Sequence, residues 1–363
     1  MPIHAISKQQ GRVVITKYAN TPTSLTTAIV QDIVDNQPTL SGSICVLVET
    51  NDDASAITGL LQSKGFAAKL IQDNNKFNLY NLLEIRYLID CLQLSIDRPT
   101  ISQELWQQAQ KQFVQEFSMS IVFEYVQTLI QTFEQTRPQN ENYYKSDFLQ
   151  FIQESQLEDF VTQNNQQIFV STIHKAKGKE FDNVFLLLKK DCQKTNAVVE
   201  ENIRKVYVAI TRAKQNLYIH CDSNYFDEIE IDKIEKVLNH NSYDEPSEYS
   251  LQASMRDVYL DGFYSLQEAI NTIKSADILQ IKSQTKFPNG DSFVEYYCTY
   301  RDKTVVKFSK DMCKKIDNII AKGYKMQQAI VRFVVYWQKL DTQNTNEIKI
   351  ILPDIKFTKE SRI

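Results

Sequence analysis

Short, wholly apolar runs recur at two well-separated places in this chain, and they constrain its architecture more than any other feature. Ile44-Cys45-Val46-Leu47-Val48 is one; Ile168-Phe169-Val170 and Val184-Phe185-Leu186-Leu187-Leu188 form the other group. Runs this brief, rich in β-branched residues, read as buried strands. After the first, Asn51-Asp52-Asp53 offers a helix N-cap, Ile57, Leu60 and Leu61 follow at helical spacing, and Gly65 closes the segment. Ala67 to Ile71 reads as a second strand, Leu79 to Leu94 as a helix, and Gly11 to Lys17 as a β-rich run ahead of both. Strands alternating with helices build an α/β sheet.

Between the two groups the rhythm changes. Trp106, Phe113, Phe117, Phe123, Val126, Leu129, Ile130 and Phe133 recur at helical spacing. A break is expected at Arg137-Pro138-Gln139-Asn140, before a further amphipathic stretch through Phe148, Phe151, Ile152 and Leu157. The α/β pattern resumes at Ile168 and continues through a helix at Tyr207 to a strand at Leu217-Tyr218-Ile219, so one domain is interrupted by another. A polar stretch from Asn239 to Ser250, with Pro246, reads as a linker. Beyond it, Ile278 to Ile281, Val294 to Tyr297, Thr304 to Phe308 and Ile348 to Leu352 read as strands, and Lys310 to Ala321 as a helix. The expected organisation is an α/β lobe in two parts, 1–94 and 167–238, around a helical insert at 95–166. A small α+β or β-barrel-like module follows at 251–363.

At 363 residues the chain has room for more than one core. With 42% hydrophobic residues and no apolar run near the ~18–20 needed to cross a bilayer, a soluble, cytoplasmic protein with no membrane partner is expected. The start, Met1-Pro2-Ile3-His4-Ala5, lacks the features of a secretory leader. Six scattered cysteines without a C-x-x-C pair, and four histidines apart from them, predict neither a disulfide framework nor a metal site. A net charge of -4 argues against coating nucleic acid through global charge, though not against a local basic groove.

Two polar segments carry the chemistry. Ser171-Thr172-Ile173-His174-Lys175-Ala176-Lys177-Gly178-Lys179-Glu180-Phe181 lies between two strand-like runs, in a loop of the kind that holds ligands in α/β folds. It resembles motif V of the UvrD/Rep-type superfamily 1 DNA helicases, T-x-H-x-x-K-G-x-E-F, with Lys179 where an apolar residue is usual. Thr172 and His174 can bond phosphate oxygens without reading bases, which suits movement along any sequence. The resemblance implies that Thr172, His174 and Lys177 meet single-stranded DNA and that Glu180, with Gly178 beside it, meets the sugar of a nucleotide.

About twenty residues on, Glu200-Glu201-Asn202-Ile203-Arg204-Lys205-Val206-Tyr207-Val208-Ala209-Ile210-Thr211-Arg212-Ala213-Lys214 is similar to motif VI of the same family, E-x-x-R-x-x-Y-V-A-x-T-R-A. Arg212 is the expected catalytic residue. Its planar guanidinium cannot lose its proton and suits charge developing on a transferring γ-phosphoryl group; in the family this position is an arginine finger. Val206, Tyr207, Val208 and Ile210 are expected to pack the helix on the sheet and aim Arg212. Glu201 and Arg204, three apart, are spaced for an ion pair. Weaker similarity extends over Gly11 to Ser223: Val46-Leu47-Val48-Glu49-Thr50-Asn51 parallels a V-L-x-R-T-N strand end, with Glu49 in place of Arg. The helical insert stands where the family has an accessory subdomain.

The resemblance therefore implies a RecA-like parallel-sheet lobe, the C-terminal portion of an ATP-dependent DNA helicase connected with DNA repair. No G-x-x-x-x-G-K-[ST] loop occurs among the eight glycines. ATP with Mg²⁺ would be shared with a first RecA-like lobe, supplied by upstream sequence or another chain, and the chain alone is expected to be inactive as an ATPase. The alternative is a stand-alone nucleic-acid-binding or protein-adaptor module, in which Thr172, His174 and Lys177 matter and Arg212 does not. A nuclease is disfavoured because Asp291 and Glu295 lack a following Lys at useful spacing. The residues after Ser250 match no motif, and Tyr296, Tyr297, Phe333, Tyr336 and Trp337 read as core in preference to base-stacking groups.

Overall fold

The computed structural model describes residues 11–19, 24–71, 77–92, 99–136, 142–155, 167–189, 196–286, 292–339 and 346–359. Two compact units emerge. The first comprises Met1–Asp73, Gln163–Ser250 and Thr358–Ile363; the second comprises Asn74–Thr162 and Leu251–Phe357.

Seven strands form the sheet of the first unit: β1 (Val13–Tyr18), β2 (Ile44–Val48), β3 (Ala67–Ile71), β6 (Gln167–Thr172), β7 (Phe181–Leu188), β8 (Ala213–Cys221) and β9 (Ile234–Asn239). Their order is β3-β6-β2-β7-β8-β1-β9, and every adjacent pair is parallel. β2 and β7 are central and almost wholly buried, which explains their unbroken apolar sequence: covered on both faces, they have no solvent side to alternate toward. Around them run α1 (Leu25–Asn36), α2 (Asn51–Ser63) and α7 (Asn196–Ile210). Ile29, Ile33, Ile57, Leu61 and Phe185 fill the core, and Phe185 stacks on Tyr218 at 4.5 Å. The N-cap of α2 falls one residue earlier than expected: Thr50 Oγ1 accepts the Asp53 N–H at 3.1 Å. Gly65, at φ 86°, ends the helix as expected.

The second unit holds α3 (Leu83–Cys91), α4 (Gln103–Phe117), α5 (Phe123–Gln135) and α6 (Lys145–Glu154), with a minimal antiparallel pair, β4 (Thr100–Ile101) and β5 (Tyr143–Tyr144). Its helical core is aromatic. Trp106, Phe133 and Phe148 are fully buried, with the Trp106 ring 5.0 Å from Phe148 and its Nε1 donating to Glu134 Oε1 at 2.7 Å. The same unit carries most of a six-stranded sheet, ordered β10 (Glu248–Gln252), β15 (Ile348–Lys359), β14 (Tyr324–Trp337), β11 (Ile278–Lys286), β12 (Phe293–Tyr300) and β13 (Lys303–Lys307), with α8 (Gln267–Ile270) and α9 (Lys310–Ala321).

The four-segment reading of the sequence differs from this division. The helical segment and the C-terminal module share one unit, joined by bonds remote in sequence: Ile121 N donates to Ser275 Oγ at 3.2 Å, Ser275 Oγ donates to the Arg332 carbonyl at 3.0 Å, and Lys274 pairs with Glu116. α3, expected in the first part of the lobe, belongs here too, because its buried face (Ile85, Leu88) packs against α4. Among the described residues, the two-residue strands β4 and β5 escaped the sequence reading, as did β9, β14 and β10, the last of which occupies the end of the stretch expected to be a linker. β9 is an edge strand and mostly exposed, so it has no apolar run; β14 begins with polar Lys325 and Gln327. The expected break at Arg137 to Asn140, together with Leu157, Cys192 and Asp291, lies outside the described residues. The five described cysteines are free.

Candidate functional site

The first polar segment begins where β6 ends. Thr172 stands beside Val48, and Ile173 N donates to the Val48 carbonyl at 2.9 Å, so the loop starts at the carboxyl edge of the sheet. It then coils: Lys175 N and Ala176 N both donate to the Thr172 carbonyl (3.0 and 3.2 Å), and Lys179 N donates to the Ala176 carbonyl at 3.1 Å. Gly178 has φ 84°, a left-handed conformation that costs a side-chain-bearing residue energy. Buried Ile173 and Ala176 pin the loop to the core, leaving His174, Lys177, Gly178 and Glu180 exposed. Thr172, in contrast, is buried, so of the three residues expected on a DNA strand only His174 and Lys177 face solvent. Lys175 Nζ donates to Asn51 Oδ1 at 2.9 Å, tying the loop to the start of α2.

Arg212 lies at the other end of the strands. Phe181 N donates to the Arg212 carbonyl at 2.8 Å, where β7 and β8 begin. Through β2, whose Ile44 is level with Asn183 and whose Val48 is level with Thr172, Phe181 and Thr172 are about six residue levels apart. That is roughly 20 Å along the strands at ~3.3 Å per residue. The loop thus runs from one edge of the sheet to the other, and the residues expected on DNA and on nucleotide sit at opposite edges.

The Arg212 guanidinium is half-buried and held by three neutral acceptors. Nε donates to the Val208 carbonyl (2.9 Å), Nη1 to the Lys179 carbonyl (3.1 Å) and Nη2 to Thr211 Oγ1 (3.1 Å). Among the described residues it forms no ion pair with a carboxylate. The helix leading to it turns Asn202, Val206 and Ala209 inward. Tyr207 is 58% exposed and Ile203 50% exposed, so Tyr207 does not pack on the sheet as expected; a 3.6-residue period that buries Val206 and Ala209 must turn Tyr207 outward. The Glu201 side chain lies outside the described residues.

Asp182, beside Glu180, went unnoticed in the sequence. Its Oδ2 accepts both the N–H and the hydroxyl of Ser43 at 2.8 Å, and Ser43 Oγ accepts the Asp182 N–H at 3.0 Å. Burial works against ionisation here, but the two Ser43 bonds, the charge of Lys214 and a local backbone bond together outweigh it and hold the carboxyl below its ordinary range. Gly42, at φ 83°, makes room: a Cβ there would meet Asp182 Oδ2 at 2.3 Å. The clamp fixes the start of β7 and thus the backbone that presents Glu180. Its only sequence signal is the Gly42-Ser43 pair before β2.

Among the described residues no group of three or more His, Cys, Asp or Glu gathers to hold a metal. No described helix is long and apolar enough to cross a membrane.

A parallel α/β lobe with both polar segments at its strand ends defines the class. Residues 98–224, which contain both segments, match the UvrD-like helicase C-terminal domain family. The chain is 32% identical over 90 residues to the Bacillus subtilis (strain 168) protein described as "Putative ATP-dependent DNA helicase YjcD", an alignment covering 22% of this chain and 12% of that protein. It also aligns, at a TM-score of 0.31 and 11% identity, with a solved structure of the C-terminal domain of a possible DNA helicase from Lactobacillus plantarum WCFS1, covering 63% of this chain and 86% of that one. Residues 98–224 are thus similar to the C-terminal domain of UvrD-like helicases.

Proposed function

We propose that this chain is the C-terminal motor lobe of an ATP-dependent DNA helicase. Arg212 is the arginine finger, Glu180 and Gly178 lie beside the nucleotide, and His174 and Lys177, with Thr172 at their base, follow the single strand. ATP and Mg²⁺ are held by a first RecA-like lobe; ATP brings the γ-phosphoryl group whose transfer drives movement. The observation that carries this reading is that the Arg212 guanidinium is oriented by two carbonyls and a hydroxyl and, among the described residues, by no carboxylate. Neutral acceptors fix the direction of the planar group while keeping its charge for an anion. The Asp182–Ser43 clamp supports the reading by fixing the backbone beside Glu180.

The test is ATP turnover by the chain alone, and by the chain mixed with a first lobe that carries a Walker A loop. Turnover is expected only in the mixture, and Arg212→Ala is expected to lower it about 10³-fold or more. Turnover by the chain alone, or an Arg212→Ala mixture as active as wild type, would overturn the assignment. Binding of the chain to oligo(dT) that persists while no mixture turns over ATP would favour the adaptor alternative.

A further inference from the structure

One face of the second unit's sheet carries a regular arrangement that neither polar segment uses. β11 and β12 pair with Lys282 opposite Tyr297 and Lys286 opposite Phe293, and β13 sets Lys307 opposite Tyr297. Lys310 Nζ, at the start of α9, lies 5.9 Å from the Phe293 ring centroid. Side chains alternate along a strand, so Lys282, Lys286, Phe293, Tyr297 and Lys307 share a face, with Glu295 between the two rings. Tyr296 and Cys298 point the other way into the core, where Tyr296 Oη donates to Asp317 of α9 at 2.7 Å. Tyr297 is only half-buried, unlike its neighbour, so the expectation that both tyrosines are core residues holds for Tyr296 alone.

Tyr297 therefore has a lysine opposite it on each neighbouring strand, Phe293 has Lys286 opposite it and Lys310 near its ring, and the two rings are four residues apart, about 13 Å along β12. Lys286 pairs with Glu295 at 2.6 Å, and Lys282 lies 3.5 Å from exposed Asp302. Lys307 and Lys310 have no carboxylate partner among the described residues, so the four cations outweigh the two anions. Exposed Gln280 and Gln284 continue the face.

We propose that this face is a stacking platform for single-stranded nucleic acid, with bases on Tyr297 and Phe293 and phosphates on Lys282, Lys286, Lys307 and Lys310. An aromatic ring accepts the π-face of any base, and a lysine ammonium holds phosphate as a point charge without reading sequence. An acidic peptide would satisfy the lysines but leave both ring faces idle, so the alternation of ring and cation favours a nucleic acid. The platform extends the nucleic-acid side of the function proposed above, but stands on residues of the other unit.

Oligo(dT) binding to the full chain, followed by fluorescence anisotropy across a salt series, tests it. Tyr297→Ala is expected to weaken binding about tenfold and Tyr297→Phe to restore it, because the ring and not the hydroxyl stacks. Lys307→Ala is expected to reduce the slope of log K against log salt by about 0.7, one phosphate's worth on a single strand. A photoreactive iodouracil oligonucleotide is expected to attach to Tyr297 or Phe293 of the unaltered chain, an outcome independent of whether any variant folds. Adducts confined to residues 171–181, or full binding by Tyr297→Ala, would overturn the platform and leave the motor-lobe reading standing. Loss of binding in Tyr297→Ala but not in His174→Ala with Lys177→Ala would do the reverse. Competition by polyglutamate as effective as that by oligo(dT) would also overturn it, in favour of an acidic protein partner.

Discussion

Glu84 is the most sharply testable residue in the second unit. It sits on the inward face of α3, fully buried; Oε1 accepts a hydrogen bond from Ser120 Oγ at 2.8 Å, and Oε2 has no partner among the described residues. Burial pushes its carboxyl from 4.5 up to about 7, against the opposing pull of the Ser120 bond. Because the folded value is raised, the folded state binds this proton more tightly than the unfolded chain does. The stability contributed by the neutral form is fully present below pH 4.5 and is lost as pH rises through about 7. A difference of about 2.5 units at ~1.4 kcal/mol each makes the loss on the order of 3 kcal/mol by pH 8. Glu84→Gln keeps the shape, keeps an oxygen for Ser120 and cannot ionise. Urea denaturation followed by tryptophan fluorescence is a suitable assay, since both tryptophans, Trp106 and Trp337, lie in this unit. The variant's advantage over wild type is expected to grow by ~3 kcal/mol between pH 4.5 and pH 8, a midpoint shift of about 1–3 M urea. Parallel pH profiles for the two proteins, or an advantage that grows toward acid, would refute the reasoning.

Gly178→Ala is expected to destabilise the first unit by ~1–2 kcal/mol: nothing lies within 4 Å of the new Cβ, so the cost is the left-handed backbone alone, and Gly178→Asn should cost less. Thermal denaturation of the three proteins checks the order. Trp106→Ala should cost about 3–5 kcal/mol by circular dichroism melting, since it opens a cavity among Phe133, Tyr143 and Phe148. Asp354→Ala should cost a similar ~3–5 kcal/mol, because it leaves buried Arg332, whose Nε lies 2.9 Å from Asp354 Oδ1, without its counter-charge.

What the sequence revealed follows from which forces leave a local trace. Burial on both faces writes an unbroken apolar run, so β2 and β7 could be read directly, and so could the helices whose aromatic residues recur at helical spacing, Trp106 and Phe133 among them. An edge strand such as β9 buries too little to leave a pattern. The joining of helical segment and C-terminal module rests on pairs such as Ile121 with Ser275, whose partners are 154 positions apart and whose residue types are common in any loop. Tyr207 is a different case: its outward position follows from the spacing of Asn202, Val206 and Ala209, whose shared inward face leaves an aromatic residue between them on the solvent side despite its apolar character.

The two polar segments were legible as motifs but not as one structure, because the bonds that join them run through the backbone. Arg212 Nη1 reaches the carbonyl of Lys179, and Phe181 N reaches the carbonyl of Arg212. Neither bond depends on the side chain at position 179. This accounts for Lys179 standing where the resembling family has an apolar residue: a carbonyl is present whatever the side chain, so the departure leaves the anchoring of Arg212 intact. Were the Lys179 side chain itself the anchor, Lys179→Leu would release Arg212; because the carbonyl is the acceptor, the substitution should leave the guanidinium in place, whereas Lys179→Pro, which removes the Lys179 N–H bond to the Ala176 carbonyl and so shifts that peptide, should displace it.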